Sequence, residues 1–230
     1  MSRGEEVLGP HAYSRLSAWI FSVVGPVQET SIFDPILNAP SAMSAVATRS
    51  YTVEEYLELD AEAEDERYEF QNGSVIPMAG AEPEHNQIKD NVSRELGNRL
   101  VARNCYVMTS DQRVRVSFGY VYPDVVVACE PTYEDTRPRT LQNPELIVEV
   151  TSDSSEARDH SDKLAAYTEL DSLEEYWVID PDKPLLTQYT RDADGWRYHG
   201  HAALSDAVTS EEFDLDVPLR NIYALVVSEE

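Results

Sequence analysis

Two carboxylates stand in stretches of sequence that otherwise have the character of buried strand. Glu149 lies inside "LIVEVTSDSS" (146–155), and Asp124 precedes a run of valines in "VYPDVVVACE" (121–130). A carboxylate in an apolar setting is costly unless it is paired or holds a metal. Side chains alternate along a strand, so Ile147, Glu149 and Thr151 share one face, and Tyr122, Asp124 and Val126 share one. If the two strands are neighbours, Asp124 and Glu149 converge. Two hard oxygen donors at one end of a sheet suit Mg²⁺ or Mn²⁺, with the Val150 carbonyl completing the protein's share and water the remainder. Lys163 is the strongest candidate for a cation beside them, placed in the first turn of the helix that follows Glu149. An ammonium there would orient an attacking water and lie against charge developing on a phosphorane.

The elements that must position these groups can be read in order. "TVEE" (52–55) is a capping box opening a short helix to about Asp60. "RYEFQNGSVIPMA" is a hairpin with Asn72-Gly73 at its turn. Pro83 opens a long helix on which Ile88, Val92, Leu96 and Leu100 form one apolar face, with Lys89, Arg94, Arg99 and Arg103 largely elsewhere. "CYVMTS", "RVRVS", "VYPDVVVA" and "ELIVEVT" are four strands, their apolar runs indicating cover on both faces. A helix from about Asp159 to Leu170 turns Leu164, Tyr167 and Leu170 inward. "EYWVID" is a fifth strand, "PLLTQYT" and "WRYHGH" form a late hairpin, and "FDLDVPLRNIYALV" caps the core. The expected class is α/β, a mixed β-sheet core flanked by helices with additional N-terminal and C-terminal hairpins.

The 230 residues suffice for one domain of ordinary size. The net charge is -25, which by itself argues against nucleic acid and for solubility. It is unevenly spread, however: residues 85–128 carry 6 basic and 4 acidic groups and lead into Asp124. Lys89, Arg94, Arg99, Arg103, Arg113 and Arg115 are therefore the cations available to phosphates, and binding is expected to weaken steeply with salt. Cys105 and Cys129 both fall in strands and are expected to be separate buried thiols in a reducing compartment, hence a cytoplasmic protein. "LSAWIFSVVGPV" (16–27) is too short to span a bilayer, so no membrane partner is expected. Residues 1–48 read as an extension, or an upstream start preceding a natural one at Met43, and residues 49–230 as a single domain.

Taken together, "RYEFQNGSVIPMAGAEPEHNQI", "SDQRVRV", "YPDVVV", "NPELIVEVTSDSSEARDHSDKLAAY" and "SLEEYWVID" resemble the Uma-two family over roughly residues 50–227. The resemblance implies an endonuclease of the PD-(D/E)XK superfamily with a restriction-endonuclease-like fold. By position, Pro123-Asp124 matches the PD motif and Glu149 the second acidic position. Thr151 stands where (D/E)XK would place lysine, and the resemblance implies a lysine moved to the next helix, at Lys163. Glu69 and His85 match further polar positions of the family, Glu69 as an outer contact to the metal. Asp111 also matches, without an evident role.

Each residue has a plainer reading. Asp124 would be a turn aspartate, Glu149 a buried ion pair with Arg113 or Arg115. Lys163 would be a solvated lysine paired with Asp159 or Asp162, Glu69 a hairpin surface charge, and His85 a histidine with a local hydrogen bond. The expected function is Mg²⁺-dependent hydrolysis of DNA phosphodiester bonds by a homodimer. The alternative is an inactive nuclease fold serving as a dimeric protein-interaction module, motivated by the charge and by Thr151. A two-carboxylate glycosidase ranks last for want of an aromatic sugar platform.

Overall fold

The structure is a computed structural model. It describes residues 6–8, 49–64, 66–78, 80–151 and 157–227, with backbone alone for 6–8 and 157–161. In chain order the elements are β1 (Glu6–Leu8), α1 (Val53–Glu62), β2 (Tyr68–Gln71), β3 (Ser74–Pro77) and α2 (Pro83–Leu100). After a short 3-10 turn (Val101–Arg103) come β4 (Cys105–Thr109), β5 (Arg113–Val116), β6 (Gly119–Val121), β7 (Val125–Cys129), β8 (Tyr133–Glu134), β9 (Thr140–Leu141) and β10 (Leu146–Val150). The remainder is α3 (Ala157–Thr168), β11 (Glu175–Asp180), β12 (Leu185–Asp192), β13 (Gly195–His201), β14 (Ala207–Ser210), β15 (Leu215–Pro218) and α4 (Leu219–Ile222). Of the expected extension, β1 is described, as an edge strand antiparallel to β13. Residues 9–48 lie outside the described residues.

A seven-stranded sheet runs in the order β1-β13-β12-β11-β10-β7-β4, and a six-stranded sheet in the order β3-β2-β6-β5-β9-β8. β10 and β11 are parallel, joined through α3, whereas β7 and β10 are antiparallel. On one face of the seven-stranded sheet Val125, Val127, Leu146, Val148, Trp177 and Ile179 pack against α2 and the C-terminal segment. The opposite face, through Val126, Ala128, Ile147 and Tyr176, packs on α3 and on Val114, Val121 and Leu141 of the six-stranded sheet. Both faces of the central strands are therefore covered, which is why their sequences are nearly continuous apolar runs.

The local rules hold at the N-terminal elements. Thr52 and Glu55 make both bonds of the capping box on α1. Asn72 and Gly73 turn the β2–β3 hairpin with φ of 48° and 88°, as a type I′ turn requires. The α2 face of Ile88, Val92, Leu96 and Leu100 is fully buried, worth about 1.5–3 kcal/mol per side chain relative to exposure.

Two expectations need correction. "VYPDVVVA" is not one strand: β6 ends at Val121 in the six-stranded sheet and β7 begins at Val125 in the seven-stranded one. Tyr122, Pro123 and Asp124 are the crossing between sheets, and Pro123, lacking an N–H, suits that break. Tyr122 and Asp124 consequently do not share a strand face. Cys105 and Cys129 are not separate thiols but form a disulfide. They are directly opposed across β4 and β7, with Cα atoms 4.0 Å apart, a proximity set by register that neither position reveals alone. The argument for a reducing compartment loses its support. No helix among the described residues is long and apolar enough to cross a membrane.

Candidate active site

The chemistry-bearing residues meet where β7 and β10 end beside α2 and α3. Val148 pairs with Val125, so Asp124 and Glu149 come next to one another along the two strands. Beyond the last backbone pair, the Asp124 carboxylate takes over: its Oδ2 accepts the Val150 N–H at 2.8 Å. His85, in the first turn of α2, sets its Nε2 3.2 Å from the same oxygen. Burial draws the His85 pKa down, but the Asp124 bond and charge, aided by the Val150 backbone and opposed by Lys89, outweigh it and leave it raised. The other ring nitrogen, Nδ1, is buried without a hydrogen-bond partner.

Glu149 is buried on the α3 face of β10. Its Oε1 accepts the Tyr167 hydroxyl at 2.7 Å and lies 3.5 Å from Lys163 Nζ. Burial pushes the Glu149 pKa upward; Lys163 opposes, and the nearby Asp124 charge adds to the rise. Lys163 occupies the second turn of α3 rather than the first, because the helix begins at Ala157. Its ammonium also meets Glu69 Oε1 at 3.0 Å. Glu69 is not the surface charge its hairpin suggests: it is 6% exposed and accepts the Tyr122 N–H at 3.2 Å. The expected pairing of Glu149 with Arg113 or Arg115 does not form, since Arg113 binds Asp60 and Arg115 binds Glu134, and Lys163 lies between Glu69 and Glu149.

Three carboxylates, Glu69, Asp124 and Glu149, thus gather around one ammonium and one imidazole, with side chains only 8–14% exposed. Among the described residues no group of three or more His, Cys, Asp or Glu side chains is arranged to hold a metal ion. What the protein offers is two hard carboxylates and the neighbouring Val150 carbonyl. That donor set fits Mg²⁺, which keeps several waters and takes one or two carboxylates. Three carboxylates face the Lys163 ammonium, a balance that a cation at this point would improve.

The basic set disperses. Lys89 lies one turn beyond His85, its Nζ 3.2 Å from Ser110 Oγ, and borders the site. Arg94 holds Asn91, and Arg99 is paired with Glu95 and bonded to the Asp216 carbonyl. Arg103 sits past the far end of α2. Arg113 must be removed from the phosphate-binding set: it is fully buried, held by Asp60, Thr140 and the Pro138 carbonyl. Arg115 is exposed but paired with Glu134. Asp111 is 84% exposed and paired with Arg67 at 3.3 Å. Tyr167 is the site residue that sequence reasoning missed; one helical turn after Lys163, it reads as core packing until its hydroxyl is placed.

The architecture and the site define the class. A "putative nuclease belonging to DUF820" from Anabaena variabilis superposes with a TM-score of 0.62 at 16% identity, covering 76% of this chain and 99% of its own. The fold is restriction-endonuclease-like. The Uma2 model, described as "Putative restriction endonuclease", matches residues 53–219, and the chain belongs to that family. Two proteins of Synechocystis sp. are also similar: sll1609, 38% identical over 60% of this chain and 79% of its own length, and slr1290, 28% identical over 74% and 90%. Both bear the description "uncharacterized". The matched span contains Glu69, His85, Asp124, Glu149 and Lys163.

Proposed function

We propose that this protein is a Mg²⁺- or Mn²⁺-dependent endonuclease that hydrolyses DNA phosphodiester bonds. The observation that carries the reading is the convergence of Asp124, Glu149 and Lys163 at one end of the β7–β10 pair. Asp124, Glu149 and the Val150 carbonyl would hold the ion. A bound divalent ion supplies charge neutralisation at the scissile phosphate and a more acidic water. The chain's own groups do the remainder. Lys163 presents an N–H to the attacking water and stays aligned because Glu69 holds it from the opposite side. Tyr167 fixes Glu149, and the Val150 N–H and His85 fix Asp124. Thr151 stands at the usual lysine position, and the reach of the Lys163 ammonium to Glu149 from α3 supports Lys163 in that role.

The test is calorimetric titration of Mg²⁺ or Mn²⁺ into the wild type and Asp124→Asn at low salt, followed by incubation with supercoiled plasmid. Binding and nicking by the wild type, both lost in Asp124→Asn, are expected. Cleavage that persists undiminished in Asp124→Asn would overturn the assignment.

A further inference from the structure

Among the described residues the seven-stranded sheet ends on β4, and its register against β7 settles which backbone groups point outward. The Ser110 N–H donates to the carbonyl of Asp124, its direct partner, at 3.2 Å. Pairs along an antiparallel ladder alternate, so Met108–Val126 and Tyr106–Ala128 are the hydrogen-bonded ones. Cys105, Val107 and Thr109 occupy the other positions, and the 4.0 Å Cα separation of Cys105 and Cys129 is that of such a pair. Their N–H groups, and the carbonyls of Cys105 and Val107, therefore face the open edge; the Thr109 carbonyl accepts from Gln112. Proteins usually guard such an edge with charge, proline or a bulge. "CYVMT" has no charge and no proline, and its register against β7 is unbroken. Val101 and Tyr106 beside it are 72% and 55% exposed. In a chain of net charge -25, this edge also belongs to the one segment with a positive balance.

We propose that β4 pairs antiparallel with β4 of a second copy about a two-fold axis through Val107, joining two seven-stranded sheets. The occupant is a second copy because the register is self-complementary in charge and in the Val107–Val107 and Thr109 N–H to Cys105 carbonyl bonds, with the Cys105 N–H sharing the Thr109 carbonyl with Gln112. Centring on Val107 sets Cys105 opposite Thr109 and Tyr106 opposite Met108 of the other copy. The same register brings Arg103 alongside Asp111, which is 84% exposed and lies 3.3 Å from Arg67 of its own chain, and the two-fold repeats that match at the other end. The axis of such a ladder stands perpendicular to the sheet, so both copies present their Glu149 faces on the same side.

The full-length chain would be measured by size-exclusion chromatography with light scattering across a concentration series. Val107→Pro removes an outward-facing N–H without taking a β4–β7 hydrogen bond, though it also replaces a half-buried side chain packed on the core. Asp111→Arg opposes Arg103 with a like charge, and Arg103→Asp combined with Asp111→Arg restores the match with signs reversed. A dimeric wild type is expected, with each single change weakening it by about tenfold or more and the exchange recovering it. If Val107→Pro fails to fold, the charge series on exposed positions still decides. A monomeric wild type, or a dimer indifferent to both single changes, would overturn the proposal; an exchange that does not recover affinity would overturn the Val107 register. Mass is read without cleavage, so this outcome is separate from that of the nuclease reading.

Discussion

The Tyr167 hydroxyl contributes one hydrogen bond, but to a buried carboxylate, where such bonds count most. Tyr167→Phe is expected to lower the unfolding free energy by about 1–3 kcal/mol, read as a lower urea midpoint at unchanged m-value. The loss arises because Glu149 keeps its desolvation and loses a donor. At this scale the sequence exposed the acids and concealed their partners. A glutamate within "LIVEVT" is conspicuous because nothing apolar explains it. Tyr167 is not conspicuous, because an inward tyrosine on an amphipathic helix is also an ordinary core residue. Glu69 resembles a surface charge because its partner, Lys163, stands 94 positions away. Lys163 is a candidate by its place after Glu149, and the family pattern tips it over the reading of a solvated lysine.

At the scale of elements, the β2–β6 pairing depends on Gly119. It has a φ of 153°, and a Cβ there would stand 2.0 Å from the Phe70 carbonyl oxygen, which is fixed backbone. Gly119→Ala is expected to destabilise the fold by about 2–4 kcal/mol, measurable by thermal or urea unfolding. The C-terminal elements carry a pH signature. Burial lowers the His201 pKa, the neighbouring His199 lowers it further, and Asp206 partly opposes. A histidine that binds its proton less well when folded contributes stability above its ordinary range and loses it as pH falls through that range. The urea midpoint of His201→Gln should therefore drop less than that of the wild type between about pH 7.5 and about pH 5.5. The periodic elements, α2 and the Asn72-Gly73 hairpin, could be read directly because burial and turn geometry act locally. The break at Pro123 and the β14–β15 hairpin could not. Whether a valine run is one strand or the exit of one sheet and the entry of another is decided by distant partners.

At the scale of the whole molecule, charge sets the terms for any polyanion. With Arg113 buried, Arg99 and Arg115 in ion pairs and Arg103 given to the contact between copies, Lys89 and Arg94 remain of the cations expected at phosphates. Two contacts give a slope of log affinity against log salt no steeper than about -2 for each copy engaged. Fluorescence anisotropy of a labelled duplex at several salt concentrations, with Ca²⁺ present to support binding, measures it. A much steeper slope would mean that a basic surface other than these residues is engaged.

The site is assembled from separate stretches of chain: Glu69 on β2, His85 on α2, Asp124 at the sheet crossing, Glu149 on β10 and Lys163 on α3. Its cation arrives last from the ribosome. A chain that ends before α3 lacks the Lys163 ammonium between Glu69 and Glu149, so on the proposed nuclease reading the order of synthesis delays the complete site.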